Sequence, residues 1–156
     1  MERMVEQPDE ISISDTLILL KYYPCEEITL QWYQDPVLVK QVDNSEEPYT
    51  IEKLRRMYAY LCEKGECYYI HLKENDEWKL IGDVSLYEGK TAIVIAKEYQ
   101  NRHIGRLVIH AMAERAGSLG WKELGAEIYS FNVQSQKAFK AAGFEHISGD
   151  WYAKVL

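Results

Sequence analysis

Two arginines, Arg102 and Arg106, stand on either side of Gly105 in a short polar segment of the chain. Residues 93–96 before it are apolar and mostly β-branched, which favours a buried strand. From Ile104 onwards, apolar residues recur at helical spacing. A strand, a short loop and a helix N-terminus together expose backbone N–H groups that can bind an anion. The two guanidinium groups would add charge-assisted contacts that suit phosphate.

The absence of a Cβ at Gly105 would let a ligand come close to the backbone. Taken alone, this segment is equally compatible with an ordinary strand-to-helix connection whose arginines are solvated. A second segment downstream favours the phosphate interpretation. It runs Glu-Ile-Tyr-Ser-Phe-Asn over residues 127–132 and is followed by Ser135, Phe139 and the pair Gly-Phe at 143–144.

Together the two segments resemble the acetyl-CoA-dependent N-acetyltransferases of the GNAT family. The pyrophosphate loop of that family reads Gln/Arg-x-x-Gly-x-Gly/Ala, and residues 100–105 here read Gln-Asn-Arg-His-Ile-Gly. The second motif has Asn, a small residue, usually Tyr, and then Gly-Phe, and Asn132 begins the matching segment. Two residues depart from the pattern, because His103 replaces the first loop glycine and Phe139 replaces the tyrosine. The resemblance extends from about residue 16 to the end and is specific over residues 93–144.

The resemblance implies an α+β fold, with a single mixed central β-sheet flanked by helices, and one GNAT domain over residues 1–156. Hydrophobic patterning along the chain predicts the matching order β-α-α-β-β-β-α-β-α-β(β). We expect the polar residues 1–15 to be frayed at their start. In the family, two parallel strands, here about 91–96 and 124–129, splay apart. The pantetheine arm of the cofactor then lies in the gap and bonds to strand backbone.

The resemblance therefore implies acetyl-CoA as the acyl donor. Asn132 is expected to bond the pantetheine arm, to cap a helix, or both. The His103 ring would face either a phosphate or water, and we favour water because backbone groups do most of the binding in such loops. The predicted cofactor-binding residues are Val94, Ile95, Gln100, Arg102, His103, Ile104, Gly105, Arg106, Asn132, Ser135 and Phe139.

Acetyl transfer to an amine needs a base for the ammonium proton and a donor for the developing oxyanion. The resemblance points to a backbone N–H of residues 93–95 as that donor. Glu127 is the predicted base, because ribosomal-protein N-terminal acetyltransferases of this superfamily carry a catalytic glutamate at the matching position. Partial burial would have to raise the pKa of this carboxyl. Asp83 and Glu98 are weaker alternatives for the base.

The group that protonates the leaving thiolate is harder to assign, because Phe139 has no proton to give. We predict Tyr129 in this role. The alternatives are Tyr87, a water molecule, or departure of the thiolate without assistance, since the pKa of a thiol is only moderately high.

Residues 32–37 fall where the family builds its acceptor pocket, and Trp32 and Asp83 are the predicted substrate-binding residues. Aromatic rings and carboxylates suit a cationic ligand. The predicted function is therefore acetyl transfer, by direct attack, to a primary amine on a small cationic acceptor such as an aminoglycoside or polyamine. The alternatives are a protein N-terminal acetyltransferase of the ribosomal-protein type and a non-catalytic acyl-CoA-binding module.

Composition excludes several other functions. The net charge of −7 argues against nucleic acid as a partner. Without a long apolar run or a secretory segment, we expect a cytoplasmic protein with no membrane partner. Three cysteines without Cys-x-x-Cys spacing predict no metal site. A homodimer is left open.

Overall fold

The computed structural model describes residues 6–156. Its eight strands form one mixed sheet in the order β1-β2-β3-β4-β5-β6-β8-β7. The strands are β1 (Glu10–Ser14), β2 (Leu17–Lys21), β3 (Gly65–Glu74), β4 (Glu77–Tyr87), β5 (Lys90–Ile95), β6 (Glu123–Glu127), β7 (Glu145–Ser148) and β8 (Trp151–Val155). The helices are α1 (Glu26–Trp32), α2 (Pro36–Asp43), α3 (Ile51–Lys64), α4 (Ile104–Ser118) and α5 (Val133–Ala141).

The sheet separates two hydrophobic clusters, which explains why its central strands are buried on both faces. Helices α4 and α5 cover one face, where Val108 and Met112 are fully buried against the sheet. Helices α1, α2 and α3 cover the other face, with Leu54 and Tyr58 in its core. Strands buried on both sides read as continuous apolar runs. This is the single mixed sheet flanked by helices that the sequence predicts.

Two elements differ from the sequence-based expectation. Residues 10–14 form edge strand β1, which we did not predict; residues 1–5, at the start of the segment that we expected to be frayed, lie outside the described part of the chain. Helix α2 was not predicted either. Its local signals are nevertheless strong, because the Asp35 side chain caps it, Pro36 occupies its first turn, and Asn44 ends it in the left-handed conformation.

The ladder between β5 and β6 is interrupted. These strands run parallel and share a single register pair, Lys90↔Gly125, although β5 continues to Ile95. Pairing resumes on the far side of β6, which is antiparallel to β8 over its whole length. The expected splay between neighbouring parallel strands is therefore present near the middle of the sheet.

No helix in the described part of the chain is long and apolar enough to cross a membrane.

A buried ion pair ties α4 to β3. The Arg115 guanidinium donates from Nε and Nη2 to the two oxygens of Glu66, at 2.9 and 2.7 Å. Glu66 is 2% exposed and also accepts from the Tyr68 hydroxyl. The bidentate contact fixes the orientation of α4, whose other end borders the site described below.

We expect Arg115→Ala to destabilise the fold by about 3–5 kcal/mol, because it removes the cationic partner of a buried carboxylate. Arg55→Ala is the matched control, since Arg55 forms an exposed pair with Glu26 and its loss should cost less than about 1 kcal/mol. Urea unfolding of both variants and the wild type measures the difference. Equal midpoints for the two variants would contradict the structural role of Arg115.

Candidate functional site

A cavity of about 530 Å³ opens beside the interrupted ladder. Its walls come from β5, the loop after it, the N-terminal part of α4, and helices α2 and α5. All predicted cofactor-binding residues except Phe139 line it: Val94, Ile95, Gln100, Arg102, His103, Ile104, Gly105, Arg106, Asn132 and Ser135. The two sequence motifs thus meet at one cavity of a size typical of ligand sites.

The cavity wall is cationic. Arg102, Arg106 and Lys137 line it, and no aspartate or glutamate of the described residues does. The chain as a whole carries a net charge of −7, so this surface is opposite in sign to the rest of the molecule. Such a local field favours an anionic ligand. Lys137 was not predicted, since its position in α5 gives it no distinguishing local pattern.

The loop between β5 and α4 holds two non-glycine residues in the left-handed conformation. Asn101 has φ 61° and His103 has φ 62°. His103 is the residue before α4 and caps it with no side-chain hydrogen bond. Left-handed turns gather backbone N–H groups into an anion-binding concavity, and they are cheapest for glycine. This explains why the family motif has glycine at the place of His103, whose own side chain is exposed.

Gly105 lies where α4 passes close to β5 and α5. A Cβ at this position would sit 3.7 Å from both Ala138 Cβ and Ile95 Cδ1, which is an ordinary contact distance. The packing of the described residues therefore does not itself require glycine here. Any requirement for glycine comes from what approaches the loop.

The two loop arginines differ in their surroundings. Arg102 pairs with Glu74, and its guanidinium lies 5.3 Å from the centre of the Tyr99 ring. Arg106 is exposed, and no residue of 6–156 forms an ion pair with it. An anion in the cavity would compete with Glu74 for Arg102, whereas Arg106 is available without that competition.

The backbone of β5 presents alternate residues to the two neighbouring strands. The Ala96 N–H donates to the Ile81 carbonyl at 2.7 Å. Because alternate residues of a strand present their N–H groups to the same side, the Val94 amide also points toward β4. The amides of Ile93 and Ile95 consequently point toward β6, beyond the last pair of that ladder. Val94 contributes its side chain to the cavity rather than its amide.

Of the two roles expected for Asn132, the structure shows the helix cap, and the bond to the pantetheine arm stays a prediction. Asn132 precedes α5, and its Oδ1 accepts from the Ser135 N–H at 3.2 Å, so it is a helix cap. It also lines the cavity, as does Ser135. Because Oδ1 is engaged in the cap, the Nδ2 group is the part of Asn132 that can donate to a ligand.

Helix α2 forms a wall of the cavity that the sequence did not predict. Leu38, Gln41 and Val42 line the cavity from α2. The Asp-Pro pair at residues 35–36 was the signal that could have placed a helix start here.

The other predicted residues do not line the cavity. Phe139 is 2% exposed and packs edge-on against Phe144, with ring centres 5.0 Å apart. Trp32 is 8% exposed in the core beneath α1 and α3. Their predicted contacts with cofactor and substrate therefore stay predictions.

Asp83 is a buried carboxylate beside Val94. It is 4% exposed, and its Oδ2 accepts from the hydroxyls of Tyr33 and Tyr58, at 2.8 and 2.7 Å. Burial raises the pKa of Asp83 to about 6, while the two phenol hydrogen bonds act in the opposite direction.

Glu127 and Tyr129 lie at the end of β6, outside the cavity. Glu127 is exposed, so it lacks the partial burial on which its role as base was expected to depend. Tyr129 is half-buried and stacks on Phe131, with ring centres 5.6 Å apart. Burial, followed by the charges of Glu127 and Asp43, raises the pKa of Tyr129, so this phenol keeps its proton at neutral pH.

The same carboxylates act on a second phenol. Burial raises the pKa of Tyr87, and Glu127, Glu88 and Asp43 raise it further. Glu127 and Asp43 therefore lie near the phenols of both Tyr87 and Tyr129. Lysines reach the same region, because the Lys90 ammonium lies 5.1 Å from the centre of the Tyr87 ring and Lys53 pairs with Asp43. No group of three or more His, Cys, Asp or Glu residues within 6–156 is arranged to hold a metal ion.

A family model described as an acetyltransferase (GNAT) domain matches residues 17–145 of the chain. No curated protein matches. Among solved structures, a domain from Methanocaldococcus jannaschii is 22% identical with a TM-score of 0.79, covering 90% of this chain and 98% of its own. Spermidine N-acetyltransferase from Vibrio cholerae, in complex with CoA and spermine, is 16% identical with a TM-score of 0.74, covering 91% and 96%.

The ribosomal L7/L12 α-N-protein acetyltransferase RimL, in complex with coenzyme A, is 16% identical with a TM-score of 0.75, covering 94% of this chain and 98% of its own. At these identities the solved structures establish a shared fold. The family model adds the sequence evidence, and it spans most of the chain, including both motifs that meet at the cavity. The chain belongs to the GNAT acetyltransferase family.

Proposed function

We propose that this protein transfers an acetyl group from acetyl-CoA to the primary amine of a small cationic acceptor. The observation that carries the proposal is the cationic cavity beside an interrupted strand ladder, in a chain of net charge −7. A polyanion with an amide-containing arm fits such a site. A loop that leads into a helix N-terminus can bind phosphate groups, and an open strand edge can bind amide groups. When bound, acetyl-CoA supplies the thioester carbonyl that the amine attacks.

The residues present fit this cofactor. Arg102, Arg106 and Lys137 would hold its phosphates. The Asn132 Nδ2 group, left free by the helix cap, would donate to a carbonyl of the pantetheine arm. The amides of Ile93 and Ile95 face the open edge of β5, where a donor can meet charge that develops on the acyl oxygen.

Asn132 can be tested with two substitutions that separate its roles. Asn132→Asp keeps an acceptor for the Ser135 N–H, so stability should hold, but it replaces the donor with a charge and should weaken CoA binding about tenfold. Asn132→Ala should weaken binding and also cost about 1 kcal/mol of stability through the lost cap. Calorimetric titration with CoA and urea unfolding measure the two effects. Wild-type affinity in the aspartate variant would remove Asn132 from the cofactor site.

The acceptor side of the splay favours a cation. The charges of Glu127 and Asp43 raise the pKa of both Tyr87 and Tyr129, and the Lys90 ammonium already lies 5.1 Å from the centre of the Tyr87 ring, so an ammonium group suits this face. The structural similarity to spermidine N-acetyltransferase bound to spermine supports a small amine as acceptor. The similarity to the L7/L12 α-N-protein acetyltransferase supports the alternative, a protein N-terminus. A non-catalytic acyl-CoA-binding module is the remaining alternative, because Phe139 replaces the usual tyrosine.

The test of this function is CoA thiol release from acetyl-CoA with a panel of polyamines, aminoglycosides, simple amines and N-terminal peptides. We expect turnover with at least one small cationic amine, because an ammonium group is attracted to the carboxylates of Glu127 and Asp43 near the splay. Turnover of peptides alone would favour the protein acceptor. Tight acetyl-CoA binding without turnover of any compound would favour the binding module.

Two carboxylates compete for the role of base, and they predict different kinetics. We propose Glu127, which lies at the splay and can receive the proton through solvent; Glu127→Gln should then lower kcat by about 100-fold or more and leave CoA affinity unchanged. If Asp83 is the base, Glu127→Gln keeps its rate. The wild-type rate should then rise with pH through about 6, as the buried carboxyl loses its proton, and Asp83→Asn should abolish that rise. Steady-state kinetics from pH 5 to 9 separate the two.

A further inference from the structure

The Gln100 side chain makes two hydrogen bonds at the end of β5. Its Nε2 donates to the Ile95 carbonyl at 2.8 Å and to Gln41 Oε1 of α2 at 3.3 Å. All three residues line the cavity and are half-buried. The side chain of a loop residue thus connects the backbone of the splayed strand to a helix on the acceptor side.

The Gln100 side chain supplies a hydrogen bond that a neighbouring strand would otherwise make. In a continuous sheet, the Ile95 carbonyl would bond to β6, but that ladder ends at Lys90↔Gly125. The peptide between Ile95 and Ala96 is instead held at both ends, because Gln100 bonds its carbonyl and the Ile81 oxygen accepts from its N–H at 2.7 Å. This fixes the backbone of Ile95, and with it the direction of the Ile95 N–H toward the open edge.

Gln41 gives the Gln100 amide its second fixed point. Helix α2, which carries Gln41, is itself held from several sides: the Asp43 carboxylate accepts from Tyr49, and the Lys40 ammonium lies 5.3 Å from the centre of the Phe131 ring. The side chains of Gln41 and Gln100 therefore link the position of α2 to the orientation of one peptide at the end of β5.

We propose that Gln41 and Gln100 are positioning residues, which aim the Ile95 N–H at the carbonyl oxygen of the acyl group. The proposal rests on the proposed function, since it needs an acyl thioester in the cavity. It gives helix α2 a role in activating the acetyl donor, through the hydrogen bond between Gln100 and Gln41, which the cofactor does not have to contact.

The decisive comparison is between acetyl-CoA, which has the acyl carbonyl, and CoA, which lacks it. Gln41→Leu removes the acceptor for Gln100, whereas Gln41→Glu keeps an acceptor oxygen at the same place. Gln31→Leu is the matched control, because within residues 6–156 the Gln31 side chain bonds only to the Glu27 carbonyl of its own helix α1. Gln100→Leu removes both bonds, and urea unfolding of every variant checks that it is folded.

We expect Gln41→Leu to leave the Kd of CoA unchanged and to raise the ratio of the acetyl-CoA Kd to the CoA Kd about fivefold, as for one lost hydrogen bond. Infrared spectra of bound acetyl-CoA carrying a ¹³C carbonyl should show a smaller downshift of the carbonyl stretch in Gln41→Leu and Gln100→Leu than in the wild type. Gln31→Leu should match the wild type in both measurements. Gln41→Glu should match the wild type in the Kd ratio and in the carbonyl stretch, although its added charge should weaken binding of CoA and acetyl-CoA to the same extent.

The outcomes separate this proposal from the function on which it rests. If the wild type binds neither CoA nor acetyl-CoA, the proposed function is overturned and the positioning role with it. If the wild type binds both, but the Kd ratio and the carbonyl stretch are the same in Gln41→Leu, the function stands and the positioning role is overturned. An equal loss of affinity for CoA and acetyl-CoA in Gln41→Leu would also overturn the positioning role, since that is the pattern of a general packing defect.

Discussion

The interrupted ladder between β5 and β6 is the constraint on which the site depends. Backbone N–H and C=O groups near the middle of a sheet are costly when they are left without partners. Here the pairing stops after Lys90↔Gly125, and β6 continues with β8 instead. The chain compensates at one point with the Gln100 side chain and leaves the amides of Ile93 and Ile95 facing the cavity. A ligand with peptide-like groups would complete the sheet.

Charge is distributed unevenly around this interruption. On one side the loop and the two helix N-termini carry Arg102, Arg106 and Lys137. On the other side, the charges of Asp43 and Glu127 act on the half-buried phenols of Tyr87 and Tyr129, and the Lys90 ammonium lies on the Tyr87 ring. An anionic donor would therefore approach the strand edge from the cationic side. The net charge of −7 gives no indication of this uneven distribution.

Asp83 and Glu127 show how burial determines the chemical properties of a carboxylate. Asp83 is buried with Tyr33 and Tyr58 donating to one of its oxygens, and burial raises its pKa. Glu127 lies on an exposed strand end. Both residues occur in apolar sequence surroundings, so nothing local distinguishes them. Only the packing of α1 and α3 over β4 makes one of them buried and leaves the other in contact with solvent.

Local sequence was sufficient to predict the sheet with its flanking helices, the phosphate-type loop and the Asn132 segment. These features depend on short-range properties: β-branched runs, helical spacing from Ile104, and a cap three residues before Ser135. Helix α2 and edge strand β1 were missed because each is short, although Asp35 and Pro36 mark the start of α2 and β1 alternates polar and apolar residues.

What the tertiary structure alone decided is which residues share a surface. Gln41 and Lys137 are distant from the loop in sequence, and they reach the cavity because α2 and α5 pack on opposite sides of β5. Phe139 matches a motif position, yet it packs into the core against Phe144. The sequence determined the local conformations by itself, because these depend on neighbouring residues. Burial and shared surfaces depend on contacts between segments far apart in the chain, and these form only when the whole sheet is assembled.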